Sequence, residues 1–282
     1  MTVPATPSEE IAVASARLRL PPVLMYHSVS PSALPDPHRL RVHPRRLDRH
    51  LRLLRRLGLR GVSLRELMAA HDRGASSGLV GLTFDDGYAD FLEHAVPVLS
   101  RHGMTATLYM VAGLLGGQNR WDGGPRLDLL DEDGVRAVAA AGHEVGNHTL
   151  THARLAGVDP GTLMREITEG RRILEDVLQA DVPGFCYPWG AFDAAAADAV
   201  RAAGHDHACV TGDYEPGDRF TVPRSYVAPG DTSLHLAAKL VRHHRRMRAT
   251  APRAPVGEPG APPMGSARRR DDCGRSARRL NW

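Results

Sequence analysis

A chain of 282 residues, 42% hydrophobic and 24% charged, has room for one large α/β domain or two small ones and the balance of an ordinary globular protein. Aromatics at 5% exclude an extended stacking platform for single-stranded nucleic acid, so no nucleic-acid partner is expected. The formal charge of +4 is expected to sit mainly in the stretch after Val241, describing a tail more than a binding face.

Residues 1–20 are polar and rich in small residues, a flexible lead-in without the basic-then-apolar order of a secretory signal. As the sequence stands this points to a cytoplasmic location, or to an extracytoplasmic one if the true start lies elsewhere. "PVLMYH" (Pro22–His27) reads as a first strand, and the proline-rich "SVSPSALPDPH" as a loop. From Pro44 to Leu57, leucines at 47, 51, 54 and 57 give a helical period with arginines on the other face, stopped by Gly58. "LRGVSL" reads as a strand feeding a helix over 64–71, and "GLVGLTF" (Gly78–Phe84) as a buried strand. A helix interrupted at Pro97 follows over 89–101, then a strand over 105–111, a loop-rich stretch to Leu130 and a helix over 131–141. "HEVGNH" is a strand end, and Asp159 caps a helix that begins at Pro160. "GFCYP", a helix over 193–203 and "HACV" (His207–Val210) complete the pattern.

Strands alternating with helices at this spacing imply a parallel sheet with right-handed crossovers, closed or nearly closed into a barrel. The expected domain runs from 21 to 246, followed by a disordered basic Pro/Gly/Arg-rich tail over 247–282. Cys186, Cys209 and Cys273 form no CxxC, and three is no disulfide framework. No apolar run is long enough to span a bilayer.

Three short stretches carry chemistry. "GLTFDDGYADF" (Gly81–Phe91) ends a buried strand on two adjacent aspartates, which repel unless a cation or proton compensates. "GHEVGNHTLTHARL" (Gly142–Leu155) holds His148 and His152 four residues apart, on one side if the segment turns helical. Two imidazoles with Asp85 or Asp86 make a three-ligand set with an open position, the pattern of a catalytic metal site. The other aspartate is then placed to take a proton from a water that the metal acidifies, and Gly87 permits the sharp turn beside it. "GFCYPWGAFD" (Gly184–Asp193) makes a rigid turn whose backbone N–H groups can face an oxyanion, with Trp189 walling the pocket.

Together "TFDDG", "HTLTH" and "YPWG" resemble the three leading motifs of the polysaccharide deacetylase family (NodB homology, carbohydrate esterase family 4), in order and spacing, over roughly Pro21 to His235. "LMYHSV" (Leu24–Val29) is similar to the opening strand of the branch related to bacterial exopolysaccharide deacetylases. The resemblance implies a distorted (β/α) barrel of the NodB type and metal-dependent removal of acetyl groups from glycans. It makes Asp85 the general base, Asp86, His148 and His152 ligands of a divalent ion (Zn²⁺, or Co²⁺, Ni²⁺ or Mn²⁺), and the Trp189 N–H an oxyanion donor. Tyr187, Pro188, Trp189 and Arg224 are expected at the substrate.

Two departures from the family pattern stand out. Cys186 occupies the place of the arginine that orients the base, and Arg224 in "VPRSY" is the candidate to reach back to Asp85. The leucine–histidine pair that supplies the acid is offset in "DTSLHL", which leaves His235 and His27 as rival acids. The expected partner is an N-acetylated glycan or a small amide; the alternatives are a relative acting on a non-sugar amide or imide, and a non-catalytic glycan-binding module. Oligomeric state is left open.

Overall fold

In the computed structural model, which describes residues 18–212 and 217–249, the chain opens on β1 (Val23–Tyr26), every residue of it buried. Two short strands, β2 (Ser28–Val29) and β3 (Arg41–Val42), pair with each other across the proline-rich loop. Helix α1 (Pro44–Arg56) buries Leu47, His50, Leu51 and Leu54 on one stripe. β4 (Arg60–Val62), α2 (Leu64–Asp72, capped by the Ser63 hydroxyl) and β5 (Leu79–Phe84) follow. The interruption expected at Pro97 is a π-helical turn, Phe91–Ala95, leading into α3 (Val96–Arg101). Pro97 has no N–H for the regular ladder, and the preceding turn widens so that the Val96 N–H reaches back five residues to the Phe91 carbonyl.

β6 (Thr107–Met110), α4 (Glu132–Ala140), β7 (Glu144–Asn147), α5 (Pro160–Leu178), β8 (Gly184–Cys186), α6 (Ala194–Ala202) and β9 (His207–Thr211) continue the alternation. The carboxylates of Asp131, Asp159 and Asp193 cap α4, α5 and α6, each accepting a backbone N–H three residues on. Beyond the short β2, which lies in the stretch read as a loop, and β3, two longer elements were not foreseen from sequence: β10 (Val222–Tyr226) and α7 (Ser233–Ala249). Pro223 argues against a central strand, yet β10 pairs in parallel with both β9 and β1.

The ring runs β1-β10-β9-β8-β7-β6-β5 and closes by pairing of β5 with β1, all parallel. β4 is an eighth strand, laid along the start of β5 on the edge that β6 takes over farther up. This wedge distorts the barrel, as expected for the NodB type. Alternate residues divide between two environments. Leu24, Tyr26, Leu82, Phe84, Phe185 and Val210 face the helices, whereas Val23, Tyr109, Cys186, Cys209 and Val222 form the interior cluster, with α2 side chains beneath. The lead-in up to residue 17 and the tail from residue 250, with Cys273, lie outside the described residues. Among the described residues no helix is long and apolar enough to cross a membrane.

Candidate active site

Strand phase aims the first groups. Residues 81 and 83 face the barrel interior, so Asp85, one step past the end of β5, keeps the inward direction, as His27 does beyond β1. Asp86 would point outward on an extended backbone. Instead it takes a left-handed conformation (φ 76°), followed by Gly87 (φ 74°), whose missing Cβ leaves room for the Met110 thioether.

The His148–His152 segment does not turn helical. It is an irregular loop after β7 in which Thr149 (φ 68°) and His152 (φ 66°) are left-handed, and the Thr149 hydroxyl accepts the His152 N–H. The two rings converge through this loop rather than through a helical repeat. Trp189 is also left-handed (φ 61°). Four of the six non-glycine residues with positive φ among the described residues thus belong to the site. Each such backbone costs on the order of 1–3 kcal/mol, which concentrates strain at the barrel mouth.

Asp86 Oδ1 lies 3.5 Å from His148 Nε2 and 3.3 Å from His152 Nε2. Ligand atoms of the three residues all fall within 4.8 Å of one another, and all three residues are buried. His148 Nδ1 is 2.7 Å from the Cys186 carbonyl, which only accepts, so Nδ1 donates there and Nε2 is the nitrogen turned toward Asp86. Burial holds the His152 imidazole below its ordinary pKa and so favours its neutral form. Burial alone would raise the Asp86 carboxyl, but the two imidazoles override it and hold the group well below the usual carboxylate range. Hydrogen bonds from the rings to Asp86 place an N–H there, and a divalent cation taking the place of those protons would find one carboxylate oxygen and two ring nitrogens converging on it in a dry pocket. That donor set fits a divalent cation of the kind bound by mixed nitrogen and oxygen ligands.

Asp85 belongs to a separate charge pair. Arg224, its side chain fully buried, donates Nη1–H to Oδ1 at 2.6 Å and Nη2–H to Oδ2 at 2.7 Å. Its other donors reach the Val210 carbonyl (3.2 Å), the Thr83 hydroxyl (3.0 Å) and Cys186 Sγ (3.0 Å), so every guanidinium N–H is satisfied. Thr83 in turn donates to the Leu24 carbonyl. Burial would raise the Asp85 carboxyl, and the guanidinium reverses this, holding it below the ordinary value. The thiol of Cys186, pushed well above its ordinary pKa by burial, stays protonated. Arg224 is therefore a clamp behind Asp85 and is turned away from solvent, not toward a substrate.

The remaining expected residues separate into two groups. His27 Nε2 is 3.9 Å from Asp85 Oδ2, inside the site. His235 is 61% exposed on α7, where its ring approaches Asp231 and Thr232. Tyr187 and Pro188 are buried, and the Tyr187 ring packs between Phe185 and Phe192; they shape the turn from behind. Trp189 is 42% exposed, and its ring meets His152 edge-on at 5.0 Å between centroids.

Two further contributors had no motif to announce them. Trp121, from the long loop after β6, stacks on the His152 ring at 4.4 Å between centroids. Tyr88 lies against Asp86, and burial together with that carboxylate pushes its hydroxyl far above its usual pKa, so it remains a donor. The DDGY spacing could have flagged Tyr88. Nothing local marks Trp121.

The polysaccharide deacetylase family model matches residues 72–208, which span β5 to β9 and hold Asp85, Asp86, His148, His152 and Trp189. YxkH of Bacillus subtilis, whose name places it among the polysaccharide deacetylases, is 28% identical over 217 residues, covering 74% of this chain and 72% of that protein. The chitooligosaccharide deacetylase of Rhizobium leguminosarum bv. phaseoli is 30% identical over 111 residues; the match spans 39% of this chain and under half, 43%, of that enzyme. Among solved structures, IcaB from Ammonifex degensii superposes with a TM-score of 0.68 at 26% identity, covering 79% of this chain and 98% of that one. By its motifs, its closed parallel barrel and these matches, the chain carries a polysaccharide deacetylase domain, matched over residues 72–208.

Proposed function

We propose that the protein is a metal-dependent hydrolase that removes N-acetyl groups from an amino-sugar glycan or oligosaccharide. The observation that carries the reading is the pairing of two differently poised carboxylates: Asp86 aimed at two imidazoles, and Asp85, its neighbour in sequence, clamped by Arg224.

Asp86, His148 and His152 would hold the divalent ion, zinc being the best match to a mixed nitrogen–oxygen set. When bound, such an ion supplies Lewis acidity toward water and toward the acetamide carbonyl. Asp85 is ionised because of Arg224, and one of its oxygens accepts the proton of the attacking water. The bidentate clamp fixes which way that oxygen points. The N–H of Trp189 sits at the second position of a single 3₁₀ turn, has no intrahelical acceptor, and is free to donate to the oxyanion. His27, beside Asp85, is the group placed to deliver a proton to the leaving amine. The rings of Trp121 and Trp189 wall the mouth and exclude water around His152.

The absence of an arginine at position 186 to orient the base is the feature that would favour a non-sugar amide or imide substrate. Arg224 fills that role from β10, two strands away, so the motive for that alternative falls away. A binding-only module has no use for a buried carboxylate clamped by a guanidinium.

The test is acetate release from N-acetylglucosamine oligomers, measured beside a panel of cyclic imides. Turnover of the oligomers alone is expected; turnover of the imides alone would reverse the assignment. In the same assay His27→Ala should lower kcat by about 10²-fold, whereas His235→Ala should leave it within a fewfold.

A further inference from the structure

The charge of the chain is concentrated on two helices. Positions 44–56 hold six arginines (45, 46, 49, 52, 55 and 56) against Asp48, a net +5. Positions 233–249 hold four arginines, Lys239 and no acid, again +5. The whole chain sums to +4, so everything outside α1 and α7 is net acidic. The two helices pack against each other, and the basicity expected in the tail is therefore matched by a basic face on the side of the barrel.

Such a face works against its own stability. Arg45 and Arg49, Arg49 and Arg52, and Arg52 and Arg56 are like charges three or four residues apart, an arrangement that weakens a helix. Within the fold Asp48 pairs with Arg52 at 2.6 Å and Asp231 with Lys239 at 3.1 Å. Arg45, Arg49, Arg55, Arg56 and Arg245 are exposed and pair with no acid among the described residues. Apolar side chains are exposed in the same region. Leu57, just past α1, is 52% exposed, and on α7 Leu234 is 77% and Val241 50% exposed. Leu234, Ala238, Val241 and Arg245 recur on one solvent-facing line of α7, while Leu236 and Leu240 face the core.

We propose that the α1–α7 face docks on an anionic lipid bilayer, with Leu234 and Val241 entering the headgroup layer and the arginines pairing with lipid phosphates. Cations flanking exposed aliphatic side chains on a surface helix are what an interfacial helix needs. A nucleic acid would use the charge but leave the leucine and valine without a role, and neither helix carries a tryptophan, tyrosine or phenylalanine on which a base could stack. The proposal is independent of the chemistry at the barrel mouth.

The test is flotation of the full-length protein with vesicles of mixed phosphatidylglycerol and phosphatidylcholine, and with vesicles of phosphatidylcholine alone. Binding to the first and not the second is expected, weakening steeply as salt is raised. Reversing Arg45, Arg49, Arg55 and Arg56 to Glu should lower the partition coefficient by more than about 100-fold. The pair Leu234→Ser and Val241→Ser should lower it by about tenfold, equally at low and high salt. All six positions are exposed, and an unchanged Tm verifies that the fold is intact. A chain with its tail arginines, from Arg253 onward, replaced by serine should still bind within a fewfold. The proposal is overturned if neutral vesicles bind equally well. It is likewise overturned if the α1 reversal is without effect while the tail replacement abolishes binding, or if duplex DNA strips the protein from vesicles while the serine pair changes nothing.

Discussion

Asp85→Asn should lower kcat for acetate release by about 10³-fold while leaving the protein folded and the Asp86–His148–His152 ligand set untouched. The amide keeps the shape of the carboxylate and its oxygen can still accept from Arg224, but its NH₂ faces the second guanidinium N–H, so some stability is lost along with the ability to take a proton from water. The loss belongs to the chemical step, so KM should move little. Measured metal content should stay at the wild-type value, because Asp85 accepts from Arg224 and is not one of the three converging ligands. A variant that lost its ion together with its activity would mean that the roles of the two neighbouring aspartates have been assigned the wrong way round.

The second large effect is expected at Arg224, on stability as well as rate. Arg224→Met leaves a carboxylate that is 3% exposed with no cation behind it. Removing one partner of a buried pair typically costs about 3–5 kcal/mol. For a domain of this size that corresponds to a fall in Tm on the order of 10 °C. Adding Asp85→Asn to Arg224→Met should recover part of the loss, since the uncompensated charge is then gone.

The pH dependence has a definite sign. The pair lowers the Asp85 pKa in the folded state, so its contribution is fully present above the unfolded carboxylate value of about 3.9 and is lost as pH falls through the lower folded value. In metal-free protein the Tm gap between wild type and Arg224→Met should therefore be widest above pH ~4 and close at lower pH. A constant gap would show that Arg224 acts by packing alone.

Much of the fold was legible because local rules agreed with the global one. Capping aspartates at 131, 159 and 193 precede their helices, and buried strands end where the polar motifs begin. β10 was hidden by Pro223, whose missing N–H argues against a paired strand, and α7 by a core stripe reduced to Leu236 and Leu240 among basic residues. At the site, the carboxylate doublet and the HxxxH spacing were readable. The local conformation of the histidine loop was not, because it depends on left-handed backbones at Thr149 and His152 that non-glycine residues adopt only under tertiary constraint. The Arg224–Asp85 clamp joins positions 139 residues apart and exists only because the barrel closes β10 onto β1 beside β5. Trp121 reaches His152 from a loop with no periodic pattern at all.

On the proposed function, Asp86, His148 and His152 bind one divalent ion on which deacetylation depends. This is tested most directly by stripping the protein with a chelator and titrating Zn²⁺ back, with ion content and acetate release from N-acetylglucosamine oligomers read on the same samples. Activity should rise in step with occupancy to one ion per chain, and Asp86→Ala and His152→Ala should not retain that ion. Undiminished acetate release from ion-free protein, or full ion retention by those two variants, would contradict it.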